Sequence, residues 1–147
     1  MSQSLARILR LREQGEEICR LDLKREMLKL KEVESAIRAS REESRASRRE
    51  AFCALTRNAG EGWLLAEGSW ELAEWKTRSL QPELQQQRQR VEEFRHRFLQ
   101  CRKEKRQVEQ LVKASARAAR AEETRRQQSA LDAWYEQAKR RRSFSQR

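Results

Sequence analysis

Counting in sevens from Trp63 meets Trp63, Trp70, Thr77, Leu84, Val91, Phe98, Lys105, Val112 and Ala119. The companion positions, three residues on, are Ala66, Ala73, Leu80, Gln87, Phe94, Cys101, Val108 and Ser115. A register held over about eight heptads is hard to reach by chance. A 3.5-residue apolar repeat is the mark of an α-helix supercoiled on a partner, since it keeps one narrow stripe turned to the neighbour. The first third repeats the pattern. Leu9, Glu16, Leu23, Leu30, Ile37, Ser44 and Ala51 recur in sevens, with Leu5, Arg12, Cys19, Glu26, Val33, Ser40, Ser47 and Ala54 as companions. This seam is strong from Cys19 to Ile37. It thins to serine and alanine from Ser40 to Ala54, where small side chains let a partner helix come close.

Between the seams lies "TRNAGEG", residues 56–62. Asn58, Gly60 and Gly62 are the residue types that accept the positive φ angles at which helices end. No other segment breaks both patterns. The expected fold is therefore all-α: a long antiparallel two-helix coiled-coil hairpin with a longer second helix, forming one domain over 1–147. Helix 1 is expected at about 3–57, the turn at about 58–62, helix 2 at about 63–141 and a basic tail at 142–147. With the turn near residue 60, residue i faces roughly residue 120 − i. Leu23 then meets Phe98, Leu30 meets Val91, and Cys19 meets Cys101. Pro82 falls on the outer side of helix 2, where it can kink the helix without ending it.

Composition agrees with thin packing. Charged residues make up 39% of the 147 residues and hydrophobic ones 37%, whereas a compact domain of this size has roughly half its residues apolar. A single proline and four glycines favour helix over disorder. Three dispersed cysteines and one histidine give no metal-ligand spacing. The cysteines read as reduced thiols at small positions. There is no phosphate loop, nucleophile elbow or paired-cysteine motif, so no catalytic, cofactor-binding or metal residues and no enzyme activity are expected. The N-terminus has no apolar core of signal-peptide length, and no run approaches the ~20 apolar residues of a membrane span. A soluble, cytoplasmic protein without membrane insertion is expected, monomeric when isolated.

Charge is unevenly spread. Residues 58–86 hold five acids and two bases, residues 87–120 eleven bases and four acids, and residues 139–147 five bases and no acid. The apolar groups are uneven too. Trp63, Trp70 and Trp75 fall within "EGWLLAEGSWELAEWK". Trp63 and Trp70 belong to the seam. Leu72 and Trp75 fall on the outer side of the same helix, with Leu65 one heptad before Leu72, and a two-helix hairpin offers that side no partner. Exposed large apolar groups in a patch mark a contact surface, and Trp is the residue most enriched in binding hot spots. The turn end therefore reads as a docking head, kept soluble by Glu67, Glu71 and Glu74; the competing reading packs these groups through a bend at Gly68. At the other end Leu131, Trp134, Tyr135 and Ala138 recur at helical spacing just before "KRRR", beyond the reach of helix 1.

The pattern resembles the central-stalk proteins of type III secretion, the FliJ/YscO family of bacterial flagellar and virulence export. The residues that carry the resemblance are "SLARILRLREQ", "GSWELAEWKTRSLQPELQQQ" and "LDAWYEQAKRRR", and it extends over nearly the whole chain. It implies a hairpin like the γ stalk of rotary ATPases. Its terminal end enters the pore of a hexameric secretion ATPase, and the opposite part contacts the cytoplasmic domain of the export gate. Family members also bind export chaperones. Carried onto this sequence, the resemblance places Leu5, Ile8, Leu131, Trp134 and Tyr135 at the ATPase and Leu72 and Trp75 at the gate, at the cytoplasmic face of the apparatus. The high tryptophan and arginine content departs from the family pattern. Two other classes stand beside it: a generic coiled-coil adaptor, and a basic helical protein associated with nucleic acid through 87–120 and the tail. The bases of 87–120 circle the helix and have acids among them, which argues against specific nucleic-acid recognition.

Overall fold

The computed structural model describes residues 2–145, with side chains from residue 3. Two helices, α1 (Ser2–Thr56) and α2 (Gly60–Ser145), pack against each other as a helical hairpin with the second helix longer. Their heptad positions are where the packing occurs. On α1 every seam position is buried or half-buried except Arg12, and on α2 every one except Ala119. The most enclosed apolar side chains are Ile37, Ala66, Ala73, Leu84 and Val91, yet among the described residues no side chain is completely buried. The molecule has a seam instead of a core.

By its contacts the chain divides into two compact units. One runs from Gly15 to Cys101. The other joins the residues up to Gln14 with those from Arg102 on. In the 15–101 unit, Cys19 meets Cys101, Ser44 Oγ donates to Glu74 at 2.8 Å and Lys76 approaches Glu43 at 3.7 Å. In the other unit Arg12 pairs with Glu104. Each of these pairs has residue numbers summing to between 116 and 120, the antiparallel register expected of a turn near residue 58–60.

The connection is shorter than the sequence suggests. It consists of residues 57–59, and the one positive φ outside glycine is at Asn58 (58°). Asn58 N–H donates to the Leu55 carbonyl at 3.3 Å and Ala59 N–H to the Ala54 carbonyl at 3.0 Å, the paired bonds of a Schellman helix end. Gly60 and Gly62, expected in the turn, are helical, and no glycine has a positive φ. One left-handed residue closes the helix, and asparagine tolerates that conformation. Gly62 sits where an added Cβ would lie 3.6 Å from the Ala54 Cβ, an ordinary contact. The far end differs too. Helix α2 continues through the basic residues 139–142 to Ser145, carrying Arg142 in its last turn where the helix dipole favours a cation. Gln146 and Arg147 of the expected tail lie outside the described residues. Pro82 lies inside α2, exposed, and the helix runs past it.

Midway along the 15–101 unit the seam turns polar. Gln87 Nε2 donates to Glu26 Oε2 at 2.7 Å and to the Glu26 backbone carbonyl at 3.0 Å, while Lys29 donates to the other Glu26 oxygen at 3.1 Å. Both Glu26 and Gln87 are buried. The Gln87 bond, then the Lys29 bond, hold the Glu26 carboxyl below its ordinary value of 4.5 against the opposing effect of burial.

Two stability tests follow from this geometry. A depressed carboxyl adds stability that is whole above pH 4.5 and lost as pH falls through its lowered value. Glu26→Gln should therefore flatten the acid limb of a melting-temperature profile, and Gln87→Ala, which strands a buried carboxylate, should cost about 1–3 kcal/mol at neutral pH. An unchanged acid limb in Glu26→Gln would refute the assignment. Gly68 is exposed in the helix with nothing within 4 Å of an added Cβ. Gly68→Ala should raise stability by about 0.5–1 kcal/mol, and Asn58→Val should lower it by about 1–2 kcal/mol; denaturant titration measures both.

Candidate interaction surfaces

The turn-proximal part of the 15–101 unit presents the first surface. Seam position Ala73 is 2% exposed while Trp75, two residues on, is 65% exposed. Leu64, Leu65 and Leu72 are exposed beside it. A recess of about 400 Å³ is bordered by Trp70, Glu71, Glu74, Trp75 and Arg78. Its floor is braced from α1: the Arg48 guanidinium lies 5.4 Å from the Trp70 ring centroid, a cation–π distance, and Ser44 holds Glu74. Helix α2 is unbroken through Gly68, so no bend folds the helix back over Leu72 and Trp75. Phe52 and Leu55, at the end of α1, are exposed as well. Both fall one position outside the seam, on a stretch of α1 without tryptophan, so the heptad pattern does not mark them.

The second surface belongs to the other unit. From Ala116 to Ser145 every side chain is exposed except half-buried Ala138. On this uncovered stretch Trp134 and Tyr135 meet edge to face, with ring centroids 5.3 Å apart and planes at 76°. With Glu136, Ala138, Lys139 and Arg142 they border a recess of about 460 Å³. Leu131 is exposed one turn earlier. Leu5 and Ile8 lie elsewhere in the same unit. Leu5 is half-buried in the seam and Ile8 is exposed beside it. The Arg12–Glu104 pairing sets Leu5 opposite residue ~111, about 20 residues and ~30 Å of helix short of Leu131. The five residues assigned to one site thus form two patches, one in the seam and one beyond it.

Charge separates along the same lines. Residues 1–14 hold three bases and one acid, and residues 102–147 fourteen bases and six acids, together +10 of the net +11. Residues 15–101 hold seventeen bases and sixteen acids, a net of +1. Among the described residues no group of three His, Cys, Asp or Glu side chains could hold a metal ion, and no helix is long and apolar enough to cross a membrane.

The thiols of Cys19 and Cys101 approach to 2.8 Å across the two helices, whereas Cys53 is exposed. Burial first, then the hydrogen bond to Cys101, push the Cys19 thiol from 9.0 up to about 11. Comparison with known proteins finds nothing to set beside this arrangement: no family model, curated protein or solved structure matches the chain.

The thiol geometry sets a testable order of reactivity, because the thiolate is the reacting species. At pH 7.5 iodoacetamide should modify Cys53 well before Cys19, and Cys19 should become reactive only as pH approaches 11. An added disulfide reagent, accepting the two electrons and two protons of the thiols, should join Cys19 to Cys101 within one chain. Mass mapping that finds Cys53 in the product would refute the register. The raised thiol adds stability that is whole below pH 9.0 and lost as pH rises through about 11.

Proposed function

We propose that this protein is a non-enzymatic central-stalk or coupling component of a type III protein secretion apparatus, working at its cytoplasmic face. The observation that carries the reading is the uncovered stretch of α2 from residue 116. A helix in a protein draws most of its stability from packing an apolar face, and this stretch of about thirty residues displays Leu131, Trp134 and Tyr135 to solvent beside Lys139 to Arg142. Such a segment suits an environment that surrounds it, and the pore of a hexameric secretion ATPase is that kind of environment. In this reading Leu131, Trp134 and Tyr135 make the ATPase contact. Leu5 and Ile8, in the hairpin part of the same unit, lie nearer its rim. Leu72 and Trp75 engage the cytoplasmic domain of the export gate, and export chaperones are further partners.

A second reading has one observation in its favour. The unit holding the termini carries nearly all of the net positive charge, and a polyanion such as nucleic acid would bind it electrostatically.

Steady-state phosphate release by the hexameric ATPase should rise on adding the protein. The triple variant Leu131→Ala, Trp134→Ala, Tyr135→Ala should lose that stimulation and keep its thermal transition. Full stimulation by the variant would refute the proposal, and salt-sensitive binding of a 20-base-pair duplex without any ATPase effect would move the assignment to the second reading. At the gate, Leu72→Ala with Trp75→Ala should weaken binding about thirtyfold, the equivalent of ~2 kcal/mol for a central Trp anchor. The same double variant should melt normally, while Trp70→Ala should melt early.

A further inference from the structure

Along the flank of α1 runs a row of side chains separated by three, four, three, four and three residues: Arg38, Arg41, Arg45, Arg48, Phe52 and Leu55. All are exposed. The row repeats with the same 3.5-residue period as the seam but lies beside it, so the packing of α1 on α2 leaves it unused. Four arginines elsewhere in the chain find a carboxylate on their own helix, in Arg20–Glu17, Arg95–Glu92, Arg126–Glu122 and Arg140–Glu136; those of the row do not. Among the described residues Arg38, Arg41, Arg45 and Arg49 make no ion pair, although Glu34 and Glu42 stand four positions from Arg38 and Glu42 three from Arg45, and Arg48 faces the Trp70 ring. Two nearby acids are engaged across the hairpin, Glu43 with Lys76 and Glu74 with Ser44.

The arginines border hollows. Arg38 and Arg41 meet Arg88 of α2 around a recess of about 370 Å³ lined also by Ile37, Leu84, Gln81 and one acid, Glu34. Arg45, Arg48 and Arg49 border another of about 590 Å³ with Phe52 and Cys53. Residues 15–101 carry a net charge of only +1, so this lane is a local feature and not part of a general basic background.

We propose that the lane is a docking site for an acidic amphipathic α-helix of a partner protein, laid along α1 as a third helix. Three observations select that occupant. Free guanidinium groups in a row call for carboxylates, which they grip as two-pronged forks. The 3.5-residue spacing matches the repeat of a helix in coiled-coil contact, so successive Asp or Glu side chains of the incoming helix meet successive arginines. Finally, the row ends on Phe52 and Leu55 in unbroken register. Apolar side chains of a helix use such anchors, whereas a phosphate backbone, which would satisfy the arginines, has no use for them. The partner helix needs about 18 residues, ~27 Å, to follow the row from Arg38 to Leu55. Arg48 is shared with the Trp70–Trp75 recess, but Arg38, Arg41, Arg45, Phe52 and Leu55 do not line it, and the proposal stands whether or not the secretion reading does.

The test uses the full-length protein and a fluorescent 21-residue helical peptide bearing four glutamates at alternating three- and four-residue spacing on one stripe, then two leucines. Anisotropy at 50 mM salt should show binding that weakens at 200 mM. Arg38→Glu, Arg41→Glu and Arg45→Glu together should weaken it at least about tenfold, and Phe52→Ala with Leu55→Ala at least about fivefold. The neutral set Arg38→Gln, Arg41→Gln and Arg45→Gln, checked by circular dichroism, guards against a folding artefact. A peptide of the same composition with the glutamates scattered round the helix should bind at least about tenfold less well. Equal binding of the scattered peptide, or indifference to charge reversal, would overturn the proposal. So would a 20-base-pair duplex that displaces the peptide and binds equally well after Phe52→Ala and Leu55→Ala, which would mark the lane as a general polyanion site.

Discussion

Everything in this molecule depends on a contact only one stripe wide. Two helices that touch along a heptad seam shield each other on one side alone, and among the described residues no side chain is completely enclosed. The apolar residues that do most of the covering are small or branched: Ala66 and Ala73 near the turn, Ile37, Leu84 and Val91 further along. Near the turn the serines and alanines of α1 let the backbones approach, and Trp70 supplies bulk beside them. A chain of this composition has no thicker core available. The outer faces are left free for other work, and the exposed leucines, tryptophans and arginines occupy them.

A narrow apolar seam is poorly specified along its axis, because sliding by one heptad replaces leucine with leucine. The buried Glu26–Gln87 pair removes that freedom. Its bonds satisfy the Gln87 amide and the Glu26 carboxylate only in one alignment, and any slip strands both in a partly dry interface. A polar residue at a single seam position is a recognised way to fix register at some expense in stability. The Cys19–Cys101 approach and the Ser44–Glu74 bond belong to the same antiparallel packing, with residue numbers summing to 120 and 118 beside 113 for the longer Glu26 and Gln87 side chains.

Most of this architecture was legible in the sequence because one period controls it. All but two of the heptad positions are buried or half-buried, and the two departures are physical. Arg12 has a long charged side chain that reaches out of the seam to Glu104, and Ala119 lies where α1 has already ended. The turn was legible in place but not in chemistry. Three candidate residues accept a positive φ, one was needed, and the hydrogen bonds from Asn58 and Ala59 back into α1 decide which. The helical state of residues 142–145 was hidden by the run of bases from Lys139 to Arg142 that leads into them, since such a run reads as tail even where a C-terminal dipole favours cations. Of the surfaces, Leu72, Trp75, Trp134 and Tyr135 could be read as outward apolar groups. The arginine lane could not, because a charged row on a helix looks solvated until the structure shows that its neighbouring acids leave it unpaired.

The distribution of charge bears on how such a chain avoids association with itself. The residues that bear Trp134 and Tyr135 belong to the unit that carries +10, so two copies meeting through that strip would bring like charge together. The Trp75 patch lacks that protection, since its unit is nearly neutral. There the local acids Glu67, Glu71 and Glu74 ring the apolar groups and repel a second copy of the same patch. The arrangement leaves each surface open to a partner of opposite sign: an acidic environment for the aromatic strip, a more basic one for the head, and an acidic helix for the arginine lane. On the readings proposed above, each of these surfaces of different chemistry would engage a partner of its own.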